Sequence, residues 1–155
     1  MNRLVLPNSV MLGEVKQLLL EGREVVIMTK GVSMLPFIVG NRDSVLLCRK
    51  ESLVPGDIAL AEIGPGVYVL HRVIEVGNER ITLKGDGNLR GTETCSPGRV
   101  CGVVKEVIRP GDRRYDPSSP GWRRKWKCWK FLPCIARRGL LWLRRKLYGK
   151  QYESR

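Results

Sequence analysis

Three polar residues stand where they could carry out hydrolytic chemistry together. Ser33 follows an apolar run and lies between Gly31 and Pro36 in the segment Gly-Val-Ser-Met-Leu-Pro. A serine hydroxyl becomes an effective nucleophile only when a neighbouring base removes its proton. His71 is the single histidine of the chain and lies in a predicted strand, where its imidazole could face a site. Asp86, between two glycines in a predicted turn, could orient that imidazole as a serine triad requires.

Each of these residues also has an ordinary structural interpretation. A serine at the end of a strand is commonly a turn residue, and an isolated histidine in a strand is commonly part of the core. The segment Gly-Asp-Gly-Asn has the composition of a common β turn. The residue types alone therefore leave the structural and the catalytic interpretations open.

The elements that must position these residues are mainly short strands. Residues 10–21 have the apolar spacing of one helix, with Asn8 or Ser9 as its cap and Gly22 at its end. Runs of β-forming residues separated by Gly and Pro turns predict strands at 25–29, 44–48, 57–63, 67–75, 80–84 and 98–108. This spacing predicts a mainly β fold, an antiparallel β-sandwich or barrel-like sheet preceded by a short N-terminal helix.

The character of the chain changes near residue 110, so we expect a catalytic domain over residues 1–110. Residues 111–121 are polar and rich in Pro and Gly, which predicts a linker. Residues 122–155 hold twelve of the 28 lysines and arginines but only one of the 15 acidic residues. Their tryptophans and leucines recur at helical spacing, which predicts a C-terminal basic amphipathic helical tail with a kink at Pro133.

A basic amphipathic tail of this kind suits the surface of an anionic membrane, where apolar residues enter the headgroup boundary and cations meet lipid phosphates. The residues expected to bind the membrane are Trp122, Trp126, Trp129, Leu140 and Leu143. A tail that is solvated or packed on its own domain remains an alternative. Binding of nucleic acid by the tail is a further alternative, although we do not expect nucleic acid as the partner.

The composition argues against several other classes of protein. Five cysteines without a CxxC pair, together with one histidine, predict reduced structural thiols, no metal site and no cofactor. No apolar stretch approaches the ~20 residues that span a bilayer, and no basic region precedes an apolar run at the N-terminus. We therefore expect neither a membrane span nor a cleavable export signal, and a cytoplasmic protein that lies peripherally on the inner face of the cytoplasmic membrane.

Several segments, in a fixed order, resemble the successive conserved boxes of signal peptidase I. The resemblance covers roughly residues 25–108, and each segment is a weak signal singly. The segments are Gly-Val-Ser-Met-Leu-Pro (31–36), Arg-Asp-Ser-Val (42–45), Val-Pro-Gly-Asp-Ile-Ala (54–59), His-Arg-Val-Ile (71–74), Lys-Gly-Asp-Gly-Asn (84–88) and Gly-Val-Val (102–104). Together, in this order and spacing, they indicate a signal peptidase-type catalytic domain.

The histidine in the fourth segment makes the chain similar to the archaeal and endoplasmic-reticulum branch of that superfamily. The bacterial signal peptidases and the self-cleaving SOS repressor-type proteins have a lysine there. The resemblance implies a serine endopeptidase that removes a leader or signal segment after small side chains, with Ser33 as acyl-enzyme nucleophile and His71 as general base. It also implies Asp86 as the orienting acid. The family has a second aspartate a few residues further on, and Glu93 is the candidate to replace it here.

The oxyanion formed on attack needs donors, and we expect them from the backbone around Gly31, Ser33 and Met34. The substrate would be a peptide or protein presented as an extended strand along the sheet edge. The alternative function is a non-catalytic module of the same fold that binds peptides or nucleic acid. A repressor of the SOS type is disfavoured, because the first ~24 residues have room for only one helix.

Overall fold

The structure is a computed structural model that describes residues 9–148. An N-terminal helix is followed by eight strands and two C-terminal helices. Their bounds are α1 (Ser9–Leu20), β1 (Val25–Met28), β2 (Ser44–Cys48), β3 (Ile58–Gly64), β4 (Val67–Val76), β5 (Ile81–Lys84), β6 (Glu93–Cys95), β7 (Val100–Arg109), β8 (Arg113–Tyr115), α2 (Pro120–Phe131) and α3 (Cys134–Tyr148).

All eight strands belong to one antiparallel sheet, in the order β1-β2-β7-β3-β4-β5-β6, with β8 added to β7. The register shifts between Leu46 and Leu47 in β2 and between Leu60 and Ala61 in β3. Such bulges bend a sheet, and this one curls into a half-barrel. The expected mainly β class, the N-terminal helix and the C-terminal helices are confirmed.

The predicted elements match the observed ones wherever the apolar pattern is long. The expected helix at 10–21 is α1, and Gly22, at a φ of 82°, ends it. The N–H groups of Gly22 and Arg23 donate to the carbonyls of Leu19 and Leu18, which is a Schellman cap. The strands β6 and β8 were not predicted, because each has three mostly polar residues and too short a pattern to recognise.

The sheet has apolar residues on both faces, as alternation along β3 shows. Ile58 and Leu60 point into the larger core, which also contains α1 and the loop after β1. Ala59 and Ala61 point to the other face and pack with Val73, Ile81, Leu83 and Val103. Successive side chains on a strand point to opposite faces, so β3 contributes to both clusters.

The C-terminal part differs from the prediction of a linker followed by a separate tail. The expected linker, residues 111–121, contains β8 and the start of α2. Trp122, Trp126 and Trp129 line one side of α2 and are buried in the larger core, at 8%, 8% and 6% exposure. These three tryptophans therefore do not form a free membrane-facing stripe. The apolar pattern that suggested such a stripe reflects burial against the protein itself.

Phe37 is the centre of the contact between α2 and the sheet domain. Its ring lies 6.1 Å from the ring of Trp122 and 6.4 Å from that of Trp129, the latter edge-on. Tyr115 of β8 packs against Trp122 at 5.9 Å. Leu140 and Leu143 of α3, in contrast, are exposed as expected. The break between α2 and α3 at Pro133 is also as expected.

Some expectations concern residues outside this structure. Residues 1–8 of the expected catalytic domain and 149–155 of the expected tail lie outside the described residues. Within residues 9–148, none of the helices has both the length and the apolar character needed to cross a membrane.

The buried and exposed tryptophans provide a test of how α2 is docked. We expect Trp122→Ala to lower the free energy of unfolding by about 3–5 kcal/mol, because it removes a buried aromatic ring from the core. Trp142→Ala is the matched control: Trp142 is 62% exposed on α3, so a change within about 0.5 kcal/mol is expected. Urea denaturation measures both, and equal losses would contradict the docking of α2.

Candidate functional site

Ser33 lies in the loop that leaves β1 and returns to β2, and a buried carboxylate holds this loop closed. The backbone N–H of Val39 donates to Asp43 Oδ2 at 2.9 Å. The hydroxyl of Thr29 donates to the carbonyl oxygen of Asp43 at 2.7 Å. Where the two arms of the loop meet, Gly40 packs so closely on the Gly31 backbone that a Cβ atom would overlap it. The loop around Ser33 is thus tied at its base.

The glycine-flanked turn after β5 packs directly on the Ser33 loop. The N–H of Gly87 donates to the carbonyl oxygen of Ser33 at 2.8 Å. A Cβ atom on Gly85 would lie 2.5 Å from that same oxygen, and one on Gly87 would lie 2.7 Å from the carbonyl oxygen of Val32. Both glycines are therefore required by close backbone approach, and this turn supports the Ser33 loop.

His71 lies on β4, and its hydrogen-bond partner is Glu93 at the start of β6. The distance from His71 Nδ1 to Glu93 Oε2 is 2.9 Å. The histidine is buried at 5% exposure, while the glutamate is partly exposed. A neutral imidazole that donates through Nδ1 to a carboxylate has its lone pair on Nε2. This arrangement leaves Nε2 as the nitrogen that can act as a base.

Asp86, the acid expected to orient His71, instead pairs with Arg72. The guanidinium donates from Nε to Asp86 Oδ1 at 2.9 Å and from Nη2 to Asp86 Oδ2 at 2.6 Å. Both side chains are almost fully buried. By its hydrogen bonding, Glu93 rather than Asp86 is the residue that orients the imidazole. The two acids proposed from the sequence thus have separate roles, one at the histidine and one in the core.

Aromatic residues enclose the Arg72–Asp86 pair. The guanidinium lies 5.4 Å from the ring centre of Phe37 and 5.0 Å from that of Trp126. The indole N–H of Trp129 donates to the Asp86 carbonyl oxygen at 2.9 Å. Burial raises the pKa of the Asp86 carboxyl, while the charge of Arg72 and its hydrogen bonds oppose that rise. Helix α2 thereby completes the environment of the turn that carries Asp86.

Ser33 and His71 line one cavity of about 260 Å³. The walls are mostly apolar side chains from α1, β1, β3 and β4, and the lining includes Leu12, Ile27, Ile38, Leu60, Tyr68 and Leu70. Within residues 9–148, no hydrogen bond joins the Ser33 hydroxyl to His71. The structure therefore places the expected nucleophile and the expected base at one cavity, with no hydrogen bond between their side chains among the described residues.

The backbone expected to hold an oxyanion lies in the same wall. Gly31 and Met34 line the cavity beside Ser33. Across the described part of the chain, the Ser33 N–H donates no hydrogen bond to another protein group. Gly31 has a φ of 80°, a left-handed conformation that favours glycine at this position.

No cysteine of the described residues is among those that line this cavity. All five cysteines are free, and burial raises the pKa of the Cys101 thiol to about 11. At neutral pH that side chain is therefore almost entirely protonated and a weak nucleophile. No cluster of three or more His, Cys, Asp or Glu side chains in residues 9–148 is arranged to bind a metal.

Sequence reasoning missed Arg72, Trp126 and Trp129 as parts of the site's support. An arginine in a strand is ordinarily assigned to the surface, and the tryptophans fitted a membrane-binding stripe. The sequence signal that could have indicated docking of α2 on the sheet domain was the helical spacing of its tryptophans.

The chain matches no protein-family model, and no similar protein was found among curated proteins.

The close approach of the turn to the Ser33 loop provides a second test. Gly85→Ala should destabilise the protein by about 1–3 kcal/mol, since its Cβ must displace the Ser33 carbonyl or the Asn88 side chain. Gly98→Ala is the matched control, because open space surrounds that glycine. Urea denaturation gives both values. If the Gly85→Ala protein is as stable as the Gly98→Ala protein, the turn at Gly85 does not pack closely on the Ser33 loop.

Proposed function

We propose that this protein is a serine endopeptidase of the signal peptidase type, with Ser33 as nucleophile and His71 as general base. One observation carries the proposal. Ser33 and His71 line the same cavity. The Nδ1 atom of the His71 imidazole lies 2.9 Å from the Glu93 carboxylate, which leaves Nε2 as the candidate base. A base oriented by an acid beside a serine is the arrangement that acyl transfer requires.

The proposed mechanism assigns a proton movement to each side chain. Glu93 accepts a hydrogen bond from His71 Nδ1–H and stabilises the imidazolium that forms when Nε2 takes the Ser33 hydroxyl proton. The Ser33 oxygen then attacks the scissile carbonyl, and the Ser33 backbone N–H supports the negative oxygen. His71 returns the proton to the leaving amine, and water, activated by the same imidazole, later hydrolyses the acyl-enzyme.

Two open strand edges beside the cavity support a peptide substrate. Among residues 9–148, β1 lies at the edge of the sheet and pairs only with β2. β5 pairs with residues 72–76 of β4, and no other strand in the described part of the chain pairs with residues 67–71 on that side. Residues of both edges line the cavity, among them Met28, Tyr68 and Leu70. An extended peptide could add to these edges and present its scissile bond to Ser33. The resemblance adds a preference for cleavage after small side chains in a leader or signal segment.

The alternative is a module that binds peptides in this groove without cleaving them. The absence of a Ser33–His71 hydrogen bond within the described residues is compatible with it. Catalytic hydrogen bonds are, however, often long in free enzymes and shorten only when substrate binds. Reactivity of Ser33, not its resting geometry, therefore distinguishes the two functions.

The decisive experiment is covalent labelling of Ser33. Purified protein is treated with a serine-directed phosphonylating reagent, and the adduct is mapped by peptide mass spectrometry. We expect an adduct on Ser33 that is abolished in Ser33→Ala and falls on the order of 10²-fold or more in His71→Ala. The chain has one histidine, so no other imidazole can substitute.

Ser96→Ala, at an exposed serine, is the control and should be labelled as the original chain is. Folded protein that acquires no adduct on Ser33 would favour the binding module.

A further variant pair separates the roles of the two acids. Glu93→Gln should slow labelling of Ser33 by on the order of 10²- to 10⁴-fold without loss of stability, because it removes only the charge that orients His71. Asp86→Asn should lower the free energy of unfolding by about 3–5 kcal/mol, because Arg72 remains buried without a charged partner. Labelling rates and urea denaturation are measured on both proteins. A Glu93→Gln protein that labels at the original rate would exclude the proposed role of Glu93.

A further inference from the structure

Helix α3 exposes a broad apolar face to solvent. Its large apolar side chains include Ile135 at 85% exposure and Leu147 at 65%. The complete set is Ile135, Leu140, Trp142, Leu143 and Leu147. At 3.6 residues per turn these five fall within about 160° of one another, so they form one continuous face. We call this set the α3 face. Exposed apolar residues on this scale ordinarily mark a surface that another phase or molecule covers.

Cations border the α3 face on both sides. By helical spacing, Arg138 and Arg145 lie next to Trp142, and Arg137 and Arg144 lie next to Leu140. Lys146 lies within the face, and its ammonium group reaches to 5.0 Å from the ring centre of Trp142. None of these cations forms an ion pair with a residue in the range 9–148, and residues 117–148 include no acidic side chain.

The opposite side of α3 is attached to the domain, which keeps the α3 face turned outward. Leu141 is buried at 4% exposure in the larger core. The hydroxyl of Tyr148 accepts a hydrogen bond from Arg42 Nη1 at 3.1 Å, and the Arg42 guanidinium also stacks on the Tyr148 ring. Arg42 in turn donates to the buried Asp43 at 2.7 Å. The helix is thus anchored at two points along its length.

A groove runs along one cationic border. It lies between α3 and the loop that follows the Asp86 turn, and it has a volume of about 830 Å³. Arg90 of that loop faces Arg138 and Arg145 of the helix across it, and Trp142 forms part of its wall. Three arginines thus line one groove, and arginine binds phosphate through paired hydrogen bonds.

We propose that α3 docks on the surface of an anionic lipid bilayer. The α3 face enters the headgroup boundary, and the bordering arginines, together with Arg90, bind lipid phosphates. This inference does not depend on the proposed peptidase activity, since it involves neither Ser33 nor His71. It moves the expected membrane contact from the buried tryptophans of α2 to the exposed side chains of α3, of which Leu140 and Leu143 were expected from the sequence.

Charge and apolar character together favour a bilayer over the other occupants. Nucleic acid would satisfy the arginines but leave five large apolar side chains in water. A second copy of the chain would cover the apolar side chains but bring two sets of arginines together without acidic partners. An anionic bilayer satisfies both features, because its phosphates lie just above its apolar layer.

The test uses the full chain and measures co-sedimentation with vesicles. The vesicles are phosphatidylcholine alone, or phosphatidylcholine mixed with phosphatidylglycerol. We expect binding to the mixed vesicles and a decrease with added salt. Leu143→Glu should reduce the partition coefficient by about tenfold or more, because it places a charge at the centre of the α3 face. Val76→Glu, at a similarly exposed valine of β4, is the matched control and should bind as the original chain does.

Tryptophan fluorescence locates the contact within the chain. Trp142 is the exposed tryptophan, whereas the other three are buried, so a blue shift on adding mixed vesicles should come from Trp142. The shift should disappear in Trp142→Phe, while that protein still sediments with vesicles. A shift that persists in Trp142→Phe would overturn the assignment to α3.

Three other outcomes would also overturn the proposal. If the folded protein does not bind mixed vesicles, the α3 face does not dock on a bilayer. The same conclusion follows if the Leu143→Glu variant binds mixed vesicles as well as the original chain does. If sedimentation equilibrium shows a dimer that Leu143→Glu converts to a monomer, and vesicles do not compete with the dimer, the face is an interface between copies.

Discussion

The buried ion pair between Arg72 and Asp86 is the interaction on which the rest of the structure depends. Removing two charges from water is costly, and the cost is offset only when every donor and acceptor is satisfied. Arg72 also donates to the Gly56 carbonyl at 3.0 Å, and Trp126 stacks on it. One pair therefore joins β4, the loop before β3, the turn after β5 and helix α2. Each of these segments must be in position before the pair can be buried.

The candidate site is built on that support through backbone contacts. The turn held by Asp86 packs on the loop of Ser33, and only glycines at 85 and 87 permit the approach. The strand that carries Arg72 into the core also carries its neighbour, His71, which lines the cavity. The support of the Ser33 loop and the position of His71 thus arise from one strand and one turn. The proposed acyl transfer would need this rigidity, since it depends on the alignment of the reacting groups.

The C-terminal segment shows how one amphipathic pattern can have two outcomes. In α2 the apolar side is covered by the sheet domain, with Phe37 at the centre of the contact. In α3 the wider apolar side faces outward, while Leu141 is buried in the larger core and Tyr148 contacts Arg42. The break at Pro133 separates the two helices, and each then presents its apolar side in its own direction. Helical periodicity reports an apolar face but carries no information on what covers it.

Much of the fold and half of the site could be predicted from the amino-acid sequence. Apolar alternation and turn residues determined α1 and six of the strands, because these patterns are local and each is several residues long. Residue type and order predicted Ser33 and His71 as the candidate pair, and the structure places both at one cavity. The tertiary structure alone decided that Glu93 meets His71, that Asp86 meets Arg72, and that the tryptophans of α2 are buried. Those pairings join residues distant along the chain, and they are selected by the free energy of satisfying buried charge and covering apolar surface in one packed arrangement, which no local pattern encodes.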